Sequence, residues 1–455
     1  MQTCLAKIMP RAFFLRFLTV LSLIWIATAV QAQSRCNEED AGPSFGGRDL
    51  SMLDTSTANP RAQLQDLVHD AIKYSKPLGS ARLLAEAAKA DMDQALAARK
   101  PTITIGGNAG YAISSAPNVP QTKGFQSTGT LSLNMPLYDF GQIKKNAEWR
   151  TELAEAAKFS QEATEEQLAL QTVALALDRG RYILQAQIYT QYTRRMACLV
   201  DSLELIVKAD KGRASELVQA KKNMQQADLA YVQTLDALKS VETRMKHLVG
   251  DKLPLPASMS TVLLQVPDLA EVMADMLQAA DIAAASAQAR AQHRYAETVD
   301  AGDKPQISWT VTTSVVSGIA PSKTILGGIG VNIPLYIPGT DSARLAALRR
   351  AEAQDLQRDE AIEAKRYRLM EMNDNALATM DRAKRIVEIL RNSDRVRFAT
   401  LQQWQQLGRR SLFDVMGAEG DYYSMRIAHV NALFDAEQVV ATMWSMGRGV
   451  QASLQ

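Results

Sequence analysis

The sequence predicts an α+β chain made of two copies of one unit, each a β-hairpin carried on very long helices. Three observations predict it: an internal duplication, period-two alternation confined to two short regions, and two stretches of about 65 to 70 residues almost without Gly or Pro. The duplication has a period near 200. Asn134-Met135-Pro136-Leu137-Tyr138-Asp139-Phe140-Gly141 is answered by Asn332-Ile333-Pro334-Leu335-Tyr336-Ile337-Pro338-Gly339, and Lys100-Pro101-Thr102-Ile103 by Lys304-Pro305-Gln306-Ile307. Gly212-Arg213-Ala214-Ser215 is echoed by Gly408-Arg409-Arg410-Ser411. A repeat of this kind implies that each unit needs a neighbour to bury a surface.

In order along the chain, residues 1–32 read as a secretory signal. Lys7, Arg11 and Arg16 precede the apolar run from Phe17 to Val30, and Val30-Gln31-Ala32 supplies small residues at the cleavage positions. Residues 33–60, rich in Gly, Ser, Asn and Asp, read as an irregular extension. The first repeat spans 61–251, with a hairpin at 101–138. Residues 252–268, with Pro254, Pro256 and Pro267, form a linker. The second repeat spans 269–447, with a hairpin at 305–336, and 448–455 is a C-terminal tail.

Leu131, Leu133, Met135 and Leu137 alternate with Ser132, Asn134, Pro136 and Tyr138; Ile307, Trp309, Val311 and Val315 alternate with Ser308, Thr310, Thr312 and Ser314. Each hairpin is expected to have strands of about 10 residues or slightly longer, a length that crosses a bilayer at barrel tilt. The turns are expected at 114–124 and 317–322. Long helices are expected at 142–210 and 341–406, each about 100 Å long, with return helices at 215–249 and 411–446. Thr340 and Asp341 are expected to cap the second long helix. Ile362, Leu369, Ala376, Ala383 and Leu390 follow a heptad step.

Several function classes are excluded. Without the signal, the chain carries 48 basic and 49 acidic residues, too balanced for a phosphate-binding groove, so no nucleic-acid partner is expected. Beyond the signal, no run of about 20 apolar residues is present. The four histidines, His69, His247, His293 and His429, lack metal-ligand spacing and are expected on helix surfaces. Gly327-Gly328-Ile329-Gly330 lies in a strand and is no phosphate loop. No metal, no cofactor and no catalytic residues are expected. Cys36 and Cys198 remain after signal removal, and whether they pair is open.

Four amphipathic strands cannot cross lipid as an open sheet, because edge amides would be unpaired. Two chains would give eight strands with a filled interior; three would give twelve and room for water. A trimer is the smallest sensible pore.

The Asn-x-Pro-Leu-Tyr strand ends, with Asp139-Phe140-Gly141, and two further segments resemble the TolC family of outer-membrane efflux and secretion channels. Those segments are Asp210-x-Gly-Arg-Ala-Ser-Glu-Leu-x-Gln-Ala220 and Gly408-Arg-Arg-Ser-Leu-Phe-Asp-Val415. The resemblance covers the chain from about Leu64 to Gly447. It implies a homotrimeric channel-tunnel, with a shared 12-stranded barrel in outer-membrane lipid and helices extending through the periplasm of a Gram-negative bacterium. It also implies a constriction at Arg410 and Asp414, with Gly417 where the family places a second aspartate. Gly212, Arg213, Ser215, Gly408 and Ser411 would be tips that dock a periplasmic adaptor, itself coupled to an energised inner-membrane transporter, an ABC protein or another type. The segment from Gly212 to Ala220 resembles the secretion branch. Type I protein secretion is therefore expected ahead of small-molecule efflux. A periplasmic coiled-coil scaffold or adhesin without a pore is the rival of a different class.

Overall fold

A computed structural model describes residues 59–116, 119–260, 262–407 and 411–454. The signal, nearly all of the extension, Gly408 and Arg410 lie outside the described residues.

The elements run α1 (Pro60–Tyr74), α2 (Lys76–Ala97), β1 (Thr102–Ala116), β2 (Val119–Tyr138) and α3 (Gln142–Ala209). After a 3₁₀ turn at Lys211–Arg213 come α4 (Ala214–Val249), α5 (Leu269–Met276), α6 (Ala280–Ala301), β3 (Gln306–Gly318) and β4 (Ser322–Asn332). The chain ends with α7 (Thr340–Leu407), α8 (Leu412–Met446) and α9 (Val450–Leu454). Helices α3 and α7 are each 68 residues long, about 100 Å at 1.5 Å per residue. Helix α3 is the hub, packing against α2, α4, α6 and α8, while α7 packs against α6 and α8. The heptad positions Leu369, Ala376 and Ala383 are buried.

The four strands form one antiparallel sheet in the order β1-β2-β3-β4. The first hairpin departs from expectation. Pairing continues through Ser114↔Thr122 to Ala116↔Val119, so β1 has 15 residues, β2 has 20, and the connection shrinks to 117–118. Pro120 falls within the register shift between Thr122 and Val119, where the ladder gives it no partner. The second connection, 319–321, falls inside the expected span.

Both strand-to-helix junctions use a left-handed glycine: Gly141 and Gly339 each have φ of 86°. In the first copy, Asp139 caps α3. Its carboxylate accepts from the Gly141 N–H at 3.1 Å and the Ile143 N–H at 2.6 Å. The second junction has Ile337 where the first has Asp139, Asp341 lies in the first turn of α7, and Thr340 does not cap as expected. Its hydroxyl donates to the Ile337 carbonyl at 3.0 Å, while the α7 ladder opens at the Gly339 carbonyl.

The linker and tail are structural. Ala257, Met259 and Leu263 are buried, and Gln63 clamps the linker by accepting from the Ala257 N–H and donating to the Leu255 carbonyl, both at 2.7 Å. At the C-terminal end, Val450 and Leu454 are buried, and Arg61 donates to the Ser453 carbonyl. Cys198 on α3 is disulfide-bonded; Cys36 lies outside the described residues. His69, His247 and His293 are exposed as expected, whereas His429 is half-buried, and burial lowers its pKa.

Candidate functional site

The sheet has two chemically distinct faces, set by strand parity. One carries Ile103↔Leu133↔Val311, Ile105↔Leu131 and the aromatic pair Tyr111↔Phe125. On β4 the same face carries Ile325, Ile329 and Val331. These side chains are uncovered: Ile105 is 85% exposed and Ile325 80%. The other face carries Thr104↔Ser132↔Thr312, Gly106↔Thr130↔Ser314 and Asn134↔Thr310. Its hydroxyls bond across strands, as at Thr104 and Ser132, 2.7 Å apart. Leu326, paired with Thr312, is an exception on the polar face.

On β2 this face runs from Phe125, through Ser127 and Gly129, to Leu131, Leu133, Met135 and Leu137, about 40 Å of strand. At a barrel tilt near 40° that is about 30 Å of height, a bilayer's hydrocarbon thickness. No helix among the described residues is long and apolar enough to cross a membrane, so the sheet is the element suited to lipid. Its edges, β1 and β4, have no further strand partner among the described residues.

At the far end of the long helices the chain turns back twice. The first tip is an Asx-type turn: Asp210 accepts from the Gly212 N–H at 3.0 Å, and Arg213 reaches Asp210 at 3.8 Å and Glu216 at 4.0 Å. Gly212 needs no left-handed backbone. A Cβ there would stand 3.1 Å from the Asp210 oxygen, so the glycine makes room for the cap. Ser215 lies in the first turn of α4. At the second tip, Ser411 caps α8, its hydroxyl accepting from the Phe413 N–H at 3.1 Å. Asp414 is exposed in the first turn of α8, one turn ahead of the exposed Gly417. Arg410, expected to face Asp414, lies outside the described residues. The two tips are brought together. Met196, Leu199 and Leu203 of α3, Ala220 of α4, and Leu412, Val415 and Met416 of α8 share one apolar cluster.

Above that cluster lies a charge network that sequence reasoning missed. Glu419 on α8 is fully buried, with Arg195 of α3 at 2.9 Å and Arg397 of α7 at 3.6 Å. The Arg397 guanidinium also covers the Tyr422 ring at 4.2 Å. Burial, reinforced by the Glu419 and Asp421 charges, raises the pKa of neighbouring Tyr192. Arg195 and Glu419 are 224 positions apart, and Arg397 and Glu419 sit on different helices, so no local spacing signals the network. Nearer the middle of the bundle, burial pushes Glu437 up to about 8 and Glu166 up to about 7. No group of three or more His, Cys, Asp or Glu suited to a metal exists among the described residues.

Residues 67–251 match the family described as outer membrane efflux protein. Outer membrane efflux protein BepC of Brucella suis biovar 1 (strain 1330) is 25% identical over 384 residues, 80% of each chain. Among solved structures, the outer membrane protein VceC from Vibrio cholerae superposes with a TM-score of 0.75 at 17% identity, covering 86% of this chain and 97% of that one. The open state of the Neisseria gonorrhoeae MtrE outer membrane channel gives 0.73 at 16% identity, covering 90% and 98%. The two structural likenesses establish the fold. The matched family and the curated relative agree with that fold, and the chain is similar to TolC-like factors of the outer membrane that extend from it into the periplasm.

Proposed function

We propose that three copies of this chain close one barrel and form the passive outer-membrane conduit of a tripartite export system. The observation that carries this reading is the open four-stranded sheet, with an uncovered apolar face and two unpaired edges, mounted on 68-residue helices. Unpaired amides in hydrocarbon cost several kcal/mol each, about 4–8 on a cyclohexane scale. The β4 edge of one copy therefore pairs with β1 of the next. Three copies supply twelve strands, enough for a water-filled interior. A pore-free scaffold leaves this sheet without a role.

Within that reading the tips dock a periplasmic adaptor through Gly212, Arg213, Ser215, Gly408 and Ser411, and an inner-membrane transporter supplies the energy. Arg410 and a threefold ring of Asp414 form the constriction. Protein export is the cargo class favoured by the Gly212–Ala220 segment, and the uncharged polar face of the sheet suits a polypeptide carrying both signs. Small-molecule efflux is favoured by the description of the matched family and by the name of its Brucella relative.

Planar-bilayer recording tests the conduit. Purified protein is expected to conduct in stable trimer-sized steps, and a homogeneous preparation that never conducts removes the reading. Asp414→Ala is expected to lower cation preference, and an unchanged reversal potential would retire the ring. Gene deletion separates the cargoes. Loss of a secreted protein at unchanged dye and detergent sensitivity supports protein export; the opposite pattern supports efflux.

A further inference from the structure

The membrane ribbon is almost free of charge, and its two exceptions are alike. Across 102–138 and 306–332 the only charged residues are Lys123 and Lys323. Strand pairing puts both on the apolar face: Lys123 opposite Ile113, next to Tyr111↔Phe125, and Lys323 opposite Val315, next to Thr313↔Ile325. Each is the next outward step of its apolar row, Lys123 after Phe125 and Lys323 after Ile325. Both lie toward the hairpin connections, at the end of the sheet opposite the junctions with α3 and α7. Both are exposed, and neither has an ion-pair partner among the described residues.

A lysine on a lipid-facing row is costly at the membrane midplane and nearly free at the interface. There its apolar stem lies along the hydrocarbon edge and its ammonium reaches the headgroups. The polar face offers hydroxyls, amides and glycines but no charge, so neither lysine serves the lumen. A cation at the rim of an apolar belt, on the cell-surface side of a barrel whose helices point inward, meets lipid phosphate. We propose that Lys123 and Lys323 bind the phosphates of anionic outer-leaflet lipid, which gives each trimer six such contacts around its outer rim. The proposal rests on the barrel reading above.

The test uses the purified full-length trimer in a neutral detergent, titrated with bis-phosphorylated lipid A, with the same lipid stripped of phosphate, and with inorganic phosphate. The phosphorylated lipid is expected to raise the unfolding midpoint, whereas the stripped lipid and inorganic phosphate are not. The K123Q/K323Q double variant should need about tenfold or more lipid for the same shift, from two lost lysine–anion contacts. The charge-preserving K123R/K323R variant should respond as the wild type does. An equal response from the glutamine variant, or an equal rise with stripped lipid, overturns the proposal. A full response to inorganic phosphate alone also overturns it, because the site would then be one for a soluble anion. Bilayer conductance of the same preparations keeps the two readings apart: a conducting wild type without the phosphate-dependent shift refutes the lipid site and leaves the channel standing.

Discussion

At the residue scale, the buried acids give the protein a defined pH response. Glu437 is fully buried, with no hydrogen bond of good geometry to its carboxyl among the described residues; the Val262 and Leu263 amides nearby only partly oppose the burial that raises it to about 8. Glu166, accepting from the Val450 N–H at 2.7 Å, is raised to about 7. Both values stand above the ordinary 4.5, so the folded state holds protons that the unfolded chain has released. Their contribution is fully present below about pH 4.5 and is lost as pH rises through about 7 for Glu166 and about 8 for Glu437. The unfolding midpoint is therefore expected to fall between about pH 4.5 and 8, and Glu437→Gln should flatten the upper part of that fall. An identical pH profile for the variant would show that this carboxyl is not the group that titrates. Glu419 poses the opposite problem, because it is ionically partnered. Glu419→Ala removes the buried carboxylate that faces Arg195 and Arg397, each only slightly exposed, and should destabilise the bundle by about 3–5 kcal/mol, read by chemical denaturation. A loss below about 1 kcal/mol, the range of surface pairs, would mean the three charges are not mutually dependent.

At the element scale, the two faces of the sheet should respond differently to one charge. Ile105→Arg, on the apolar face, is expected to cost about 2–4 kcal/mol of barrel stability if it lies near mid-bilayer. Thr104→Arg, one residue away on the polar face, should assemble and change conductance instead. Equal assembly defects in both variants would mean the faces are misassigned. This division was legible in the sequence because alternation is a local property, and the long helices were legible because Pro is missing over both 68-residue spans and Gly180 is their single glycine. The elements that were misread depend on partners distant in sequence. Ser114 to Gly124 has turn composition, yet cross-strand pairing carries β1 and β2 through most of it. The proline-rich linker reads as a spacer until Gln63, 192 residues from Leu255, is placed against it. Thr340 has capping chemistry, but the positive φ of Gly339 already turns the chain into α7 and leaves the hydroxyl to the Ile337 carbonyl. The Arg195–Glu419–Arg397 network had no local signature at all.

At the scale of the whole molecule, one chain is an incomplete solution to its own burial problem. Besides the sheet, helix α7 leaves Leu345, Leu348, Leu356, Tyr367 and Leu377 more than half exposed. Scattered exposed leucines are ordinary, whereas a recurring series along one 68-residue helix marks a surface meant to be covered. In a closed trimer this stripe is expected where the wall of one copy meets the next, which would make barrel closure and tunnel closure two parts of one assembly step. Leu348→Glu with Leu356→Glu tests that coupling away from the membrane. Both positions are exposed in the single chain, so the protomer's own core is untouched and helical content should match the wild type. If α7 forms the seam, the double variant loses the trimer in detergent, by light scattering, and with it the conductance. If sheet closure alone holds three copies together, the trimer persists at wild-type mass. The α7 stripe would then be a docking face for the adaptor rather than for a sister copy, and the variant should fail in export while still conducting.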